Sequence, residues 1–163
     1  MIYNYGIGTV EMKGGTVCID QGVYWYSTNN YGIFNEKEGI VKLINGTIKV
    51  TSGKKLYIES GYCNGIGNKG NGKIEIHGGI ITCYNNGISN DESGTIEVQG
   101  GSINSGQCGI LNNGNGSVEI SGGEVKFLGE NCLYTRENIY GIRNRRKRED
   151  KTSIWSDKRY RRK

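Results

Sequence analysis

A parallel β-helix is the fold class this sequence predicts, and three observations predict it. The dipeptide Gly-Ile recurs every 22 residues at Gly65, Gly87 and Gly109, each time with an Asn three residues after the Gly (Asn68, Asn90, Asn112). Each copy is followed 14 residues later by the second Gly of a pair, at Gly79, Gly101 and Gly123. Short runs of β-branched residues alternate with polar ones in between. A fixed period of this size marks a stack of similar coils, none of which can bury its apolar side chains alone.

Three strands fit in each coil. The first begins at Gly-Ile and turns Ile33, Ile66, Ile88 and Ile110 inward. The second precedes the glycine pair as Val10-Glu11-Met12, Val41-Lys42-Leu43, Ile74-Glu75-Ile76, Ile96-Glu97-Val98 and Val118-Glu119-Ile120. Alternation places its aliphatic pair inside and the central charge outside. The third follows the pair and turns Val17, Ile48, Ile81, Ile103 and Val125 inward. Each strand then pairs with its equivalent one coil along, about 4.8 Å away. The recurring Asn35, Asn68, Asn90, Asn112 and Asn144 would form a ladder at one corner, where Asn tolerates left-handed backbone and bonds to its neighbours. Gly39, Gly72, Gly94 and Gly116 mark another corner, where positive φ is expected. The first coil reads as truncated, because Gly6-Ile7 lies only nine residues before Gly15 and has Thr9 where Asn is expected. A leucine-rich repeat shares the period, but it needs a Leu-x-x-Leu-x-Leu frame and a helical return that these residues lack.

Coils of 22 residues alternate with coils of about 32, roughly five in all, giving a stack on the order of 25 Å long. The additions, Val23-Tyr24-Trp25-Tyr26-Ser27, Leu56-Tyr57-Ile58-Glu59-Ser60 and Cys132-Leu133-Tyr134-Thr135-Arg136, leave every long coil at the same corner and predict an extra strand there. Tyr24, Trp25, Tyr26 and Tyr57 would make a lateral aromatic patch. Such a patch suits sugar rings, whose C–H faces stack on aromatic faces. The alternative is that these rings pack back onto the wall of the solenoid.

Little in the chain speaks for chemistry. His77 is the only histidine, and Cys18, Cys63, Cys83, Cys108 and Cys132 contain no Cys-x-x-Cys pair. Neither a zinc site nor a Ser-His or Cys-His nucleophile has support, and an odd cysteine count argues against a disulfide framework. The outward column Glu11, Lys42, Glu75, Glu97 and Glu119 could pair an acid with a base or hold calcium, yet it is also the period made visible. Like charges in register cost stability unless a cation such as Lys42 bridges them. No cofactor, metal site or catalytic residue is therefore assigned. There is no 18-residue apolar run and no signal-type N-terminus, and the absence of Pro and Ala beside abundant Asn, Ile, Lys and Tyr points to a low-GC, bacterial genome.

The frame Gly-Ile-x-Asn, then Gly-x-Ile-Glu-Val, then Gly-Gly-x-Ile, as in residues 87–103, resembles the right-handed parallel β-helix repeats of large bacterial cell-surface proteins. It shares its general architecture with pectate lyases. The resemblance runs from about residue 5 to residue 144. It implies a right-handed coil and a parent of adhesin or polysaccharide-binding type at the cell surface or secreted, in which neighbouring coils of a longer chain are further partners. No pectate-lyase constellation of aspartates and a basic residue is present to carry over.

The last residues differ in kind. Residues 136–163 carry 8 Arg and 4 Lys against 4 acidic groups, net +8, whereas residues 1–135 carry 9 Lys against 12 acidic groups, net −3. Residues 145–163 read as a basic, disordered tail with no nucleic-acid recognition fold around it. They also read as a coil in a shifted frame: moving the reading frame by one nucleotide after Asn144 restores a glycine 14 residues after Gly141. The sequence thus predicts a non-catalytic surface scaffold that is structural, adhesive or polysaccharide-binding, the alternative being a piece of a polysaccharide lyase or glycoside hydrolase.

Overall fold

The structure, a computed structural model, describes residues 1–21, 29–52, 63–128 and 140–144. The insertions with Tyr24, Trp25, Tyr26, Tyr57 and Cys132, the extra strand expected in them, and the basic tail 145–163 lie outside the described residues. The first coil holds β1 (Ile2–Tyr5), β2 (Thr9–Met12) and β3 (Thr16–Gln21), and the second β4 (Asn30–Glu36), β5 (Ile40–Leu43) and β6 (Thr47–Ser52). The third holds β7 (Cys63–Lys69), β8 (Lys73–Ile76) and β9 (Ile80–Cys83), and the fourth β10 (Asn86–Asn90), β11 (Thr95–Val98) and β12 (Ser102–Ser105). The fifth holds β13 (Cys108–Asn112), β14 (Ser117–Ile120) and β15 (Glu124–Phe127), and β16 (Tyr140–Asn144) opens a sixth.

Every third strand stacks into one parallel sheet. Sheet A runs β1-β4-β7-β10-β13-β16, sheet B runs β2-β5-β8-β11-β14, and sheet C runs β3-β6-β9-β12-β15. This is a right-handed parallel β-helix with three strands per coil. The aliphatic columns fill its interior: Ile33, Ile66, Ile88 and Ile110 from sheet A, Val41, Ile74 and Ile96 from sheet B, and Ile48, Ile81 and Ile103 from sheet C are fully buried. Identical side chains stacked one pitch apart give each inward residue the same neighbours in every coil, so one short motif suffices to pack the whole length.

Two readings of the corners change. Ile2 pairs with Ile33 and Asn4 with Asn35, so the coil opens at Ile2 and carries all three strands. Gly6-Ile7 falls in the turn between β1 and β2. Gly39, Gly72, Gly94 and Gly116 do not have positive φ; that geometry belongs instead to the second Gly of each pair, Gly79, Gly101 and Gly123, at 81–83°. What the first four glycines supply is room. A Cβ on Gly94 would lie 2.0 Å from the Asn68 amide nitrogen and 2.5 Å from the Gly72 carbonyl.

Candidate functional site

The ladder asparagines sit inside strands of sheet A rather than in left-handed turns, and Lys37 is the one non-glycine residue with positive φ among those described. Their carboxamides are buried between coils. Each Nδ2 donates along the stack to the next Oδ1: Asn4 to Asn35 at 2.8 Å, Asn35 to Asn68 at 2.7 Å, Asn68 to Asn90 at 2.7 Å, Asn90 to Asn112 at 2.8 Å and Asn112 to Asn144 at 3.0 Å. Its second hydrogen goes to the carbonyl four residues on, as from Asn35 to Gly39 (2.7 Å), Asn90 to Gly94 (2.9 Å) and Asn112 to Gly116 (2.8 Å). Asn is the residue that can accept on one side and donate twice on the other. This column therefore holds the corner closed. It has no open face for a ligand.

Sheet B carries the charged column on its outer surface. Register places Glu11, Lys42, Glu75, Glu97 and Glu119 in line. Lysines interrupt the repulsion. Lys42 reaches Glu75 at 3.0 Å, while Lys73, two residues before Glu75 on the same outer face, bridges Glu75 at 2.9 Å and Glu97 at 2.7 Å. The Lys73 ammonium, then Lys42 and His77, hold the Glu75 carboxyl down at about 2, against the opposing effect of its partial burial. A carboxyl fixed in this ionised state is no general acid near neutral pH. Because its folded pKa lies below its ordinary value of 4.5, Glu75 stabilises the fold above that value and loses the contribution as pH falls toward 2. The thermal midpoint is expected to drop across that interval, and to drop less steeply in Lys73→Met. Equal slopes for the two proteins in pH-dependent melts would remove Glu75 as the cause.

The cysteines are not arranged for chemistry either. Cys63, Cys83 and Cys108 are buried and Cys18 is exposed. Burial pushes the Cys63 thiol up and the Cys83 thiol up to about 12, so both stay protonated and unreactive near neutral pH. Among the described residues no group of three His, Cys, Asp or Glu side chains is placed to hold a metal ion, and no helix is long and apolar enough to cross a membrane.

The outer face of sheet A is where side chains gather without an evident structural duty. The residue between Ile and Asn of the motif points outward, and register aligns Tyr3, Phe34, Gly67, Ser89, Leu111 and Arg143. Tyr3 stacks on Phe34 with ring centroids 5.4 Å apart, and Phe34 meets Tyr31 at 4.6 Å. The Tyr31 ring lies across Gly67, where a Cβ would come within 2.3 Å of it. Tyr5, two residues along β1 and so on the same face, is 6.1 Å from Tyr3 with the planes only 13° apart. Coil two backs both rings: Phe34 lies behind Tyr3, and the Lys37 ammonium sits 4.0 Å from the centre of Tyr5. The Tyr3 hydroxyl donates to the Glu36 carboxylate, and that bond raises the Tyr3 pKa. Since β1 is the edge strand of sheet A, the faces turned away from coil two are open, and Tyr3 is 49% and Tyr5 63% exposed.

Beside this pair, the corner between sheets A and B forms a groove of about 380 Å³ lined by Ile7, Glu36, Lys37, Glu38, Lys69 and Glu92, among others. Sequence reasoning passed over Tyr3 and Phe34. The signal for them was the outward x of Ile-x-Asn, which aligns only once the coil is known to open at Ile2. The chain matches no protein-family model, no curated protein and no solved structure.

Proposed function

We propose that this chain is a non-catalytic scaffold of a bacterial surface or secreted repeat protein, and that it binds polysaccharide on the outer face of its first coils. The Tyr3–Tyr5 pair carries the reading: two nearly parallel rings, supported from behind and open in front. Backing by Phe34 and Lys37 fixes the rings before a ligand arrives, so little side-chain freedom is lost on binding. A sugar ring laid on such a pair buries its C–H face against the aromatic surface while its hydroxyls stay in reach of Glu36 and Lys37. The tied-down Glu75 column favours binding over bond cleavage, because its carboxylate is neutralised by two lysines rather than aimed into a cleft.

A glycan array probed with the intact chain is the test. Binding to at least one glycan is expected, and Tyr3→Ala or Tyr5→Ala should weaken it by about tenfold each, the scale of one aromatic stacking contact. No binding anywhere on the array, or binding that both variants leave unchanged, overturns the assignment. Shortened products from a bound glycan would show a lyase or hydrolase instead.

A further inference from the structure

The tyrosine pair and the corner groove share two residues. Glu36 receives the Tyr3 hydroxyl and Lys37 covers the back of Tyr5, and both also line the groove. The two features are therefore one continuous surface. It passes from Tyr3 and Tyr5 in the first coil, along Glu36, Lys37 and Glu38 in the second and Lys69 in the third, to Glu92 in the fourth. Four coils at one strand spacing each cover roughly 14 Å along the stack axis.

We propose that this surface takes a linear glycan running parallel to the stack axis, and that the glycan is neutral or carries amino groups rather than carboxylates. The inference rests on the polysaccharide-binding reading above and adds length, direction and charge. Direction follows from the groove, whose walls are equivalent corner positions of successive coils, so a ligand crossing several of them must lie along the stack. Length follows from the same geometry, because a single sugar on the tyrosines leaves the third and fourth coils untouched. Charge follows from the lining: Glu36, Glu38 and Glu92 against Lys37 and Lys69, with the exposed Asp91 adjoining Glu92. Carboxylates at the rim of a groove repel a polyuronate and attract ammonium groups, and they accept hydrogen bonds from neutral hydroxyls.

The experiment compares di-, tetra- and hexasaccharides of a neutral β-linked glucan, of a partly deacetylated amino-sugar polymer and of a polyuronate, by calorimetric titration of the intact chain. Affinity should rise by at least tenfold from the disaccharide to the hexasaccharide in the neutral or amino series, with the polyuronate binding at least tenfold more weakly. Lys69→Glu and Glu92→Lys, both on the groove and away from the tyrosines, should alter hexasaccharide binding and leave the disaccharide unchanged. If disaccharide and hexasaccharide bind alike and the groove variants have no effect, the extended site is wrong while the tyrosine platform stands. If the polyuronate binds as tightly as the others, the charge assignment is wrong. If nothing binds in any series, the polysaccharide reading itself fails.

Discussion

Asn90→Ala is expected to cost more stability than loss of any ladder member at the edge of the stack. Asn90 is fully buried in the middle of the column. Its carboxamide accepts from Asn68 at 2.7 Å and donates to Asn112 at 2.8 Å, to Gly94 O at 2.9 Å and to Glu92 O at 3.2 Å. Truncation leaves one Asn68 N–H, the Asn112 Oδ1 and the Gly94 carbonyl without their partner, in a space that Gly94 keeps too tight for an easy repair. Buried groups orphaned in this way cost roughly 1–3 kcal/mol each, so a loss of roughly 3–6 kcal/mol is expected in urea unfolding. That is a large part of the roughly 5–15 kcal/mol that a domain possesses. Asn4→Ala, which removes an exposed end of the same ladder, should cost under about 1 kcal/mol. Asn90→Asp separates shape from donation. It keeps the outline but puts a carboxylate oxygen against Asn112 Oδ1, so it should be at least as damaging at neutral pH and partly recover in acid, where one donor returns. Equal costs for Asn90→Ala and Asn4→Ala would mean that the buried column is incidental to stability.

This ladder also shows how far the sequence could be read. Period and alternation place Ile33, Ile66, Ile88 and Ile110 inside because inward residues repeat identically in each coil, and the core depends on little else. The Asn column shares that regularity. Which property of Asn is used was not legible, since a left-handed turn and a buried carboxamide leave the same letter in the same place. The start of the first coil was misread for a related reason. Met1 stands where later coils have Gly, so the dipeptide led to Gly6-Ile7, although Ile2-Tyr3-Asn4 already has the Ile-x-Asn spacing. Outward residues were harder still. Lys42 was visible in the Glu column, whereas Lys73 works from the same strand as Glu75, and its contact depends on side-chain reach rather than on period. Tyr3, Phe34 and Tyr31 vary freely from coil to coil, as residues outside the core can, and only the register brings them together.

Gly87→Ala is expected to be the most damaging single methyl addition in the repeat. The Gly of Gly-Ile stands where the ladder of sheet A breaks: β10 and β13 pair at Asn86 with Cys108 and again at Ile88 with Ile110, skipping Gly87. Alternation slips there, and both Gly87 and Ile88 face the interior. A Cβ on Gly87 would lie 2.2 Å from Ile103 Cγ2 and 2.5 Å from the Gly109 carbonyl oxygen. The first obstacle is a side chain already packed in a full core, and the second is backbone of the next coil, which cannot rotate away. Overpacking costs typically 1–3 kcal/mol when neighbours can shift, so about 3 kcal/mol or more is expected where one of them is backbone. Gly14→Ala is the matched control, for it has ordinary φ and nothing within 4 Å of the added carbon, and it should be neutral within about 0.5 kcal/mol. Adding Ile103→Ala to Gly87→Ala removes the side-chain clash and keeps the backbone one. If the carbonyl governs, the double variant is no more stable than the two costs added together; if Ile103 governs, it recovers measurably. The same 2.5 Å approach recurs between Gly65 and the Gly87 carbonyl and between Gly109 and the Gly141 carbonyl. Each coil therefore sets the limit on the side chain of the coil before it. Full additivity would make glycine here a requirement of how closely the coils stack, and the Gly-Ile repeat the trace of that spacing in the sequence.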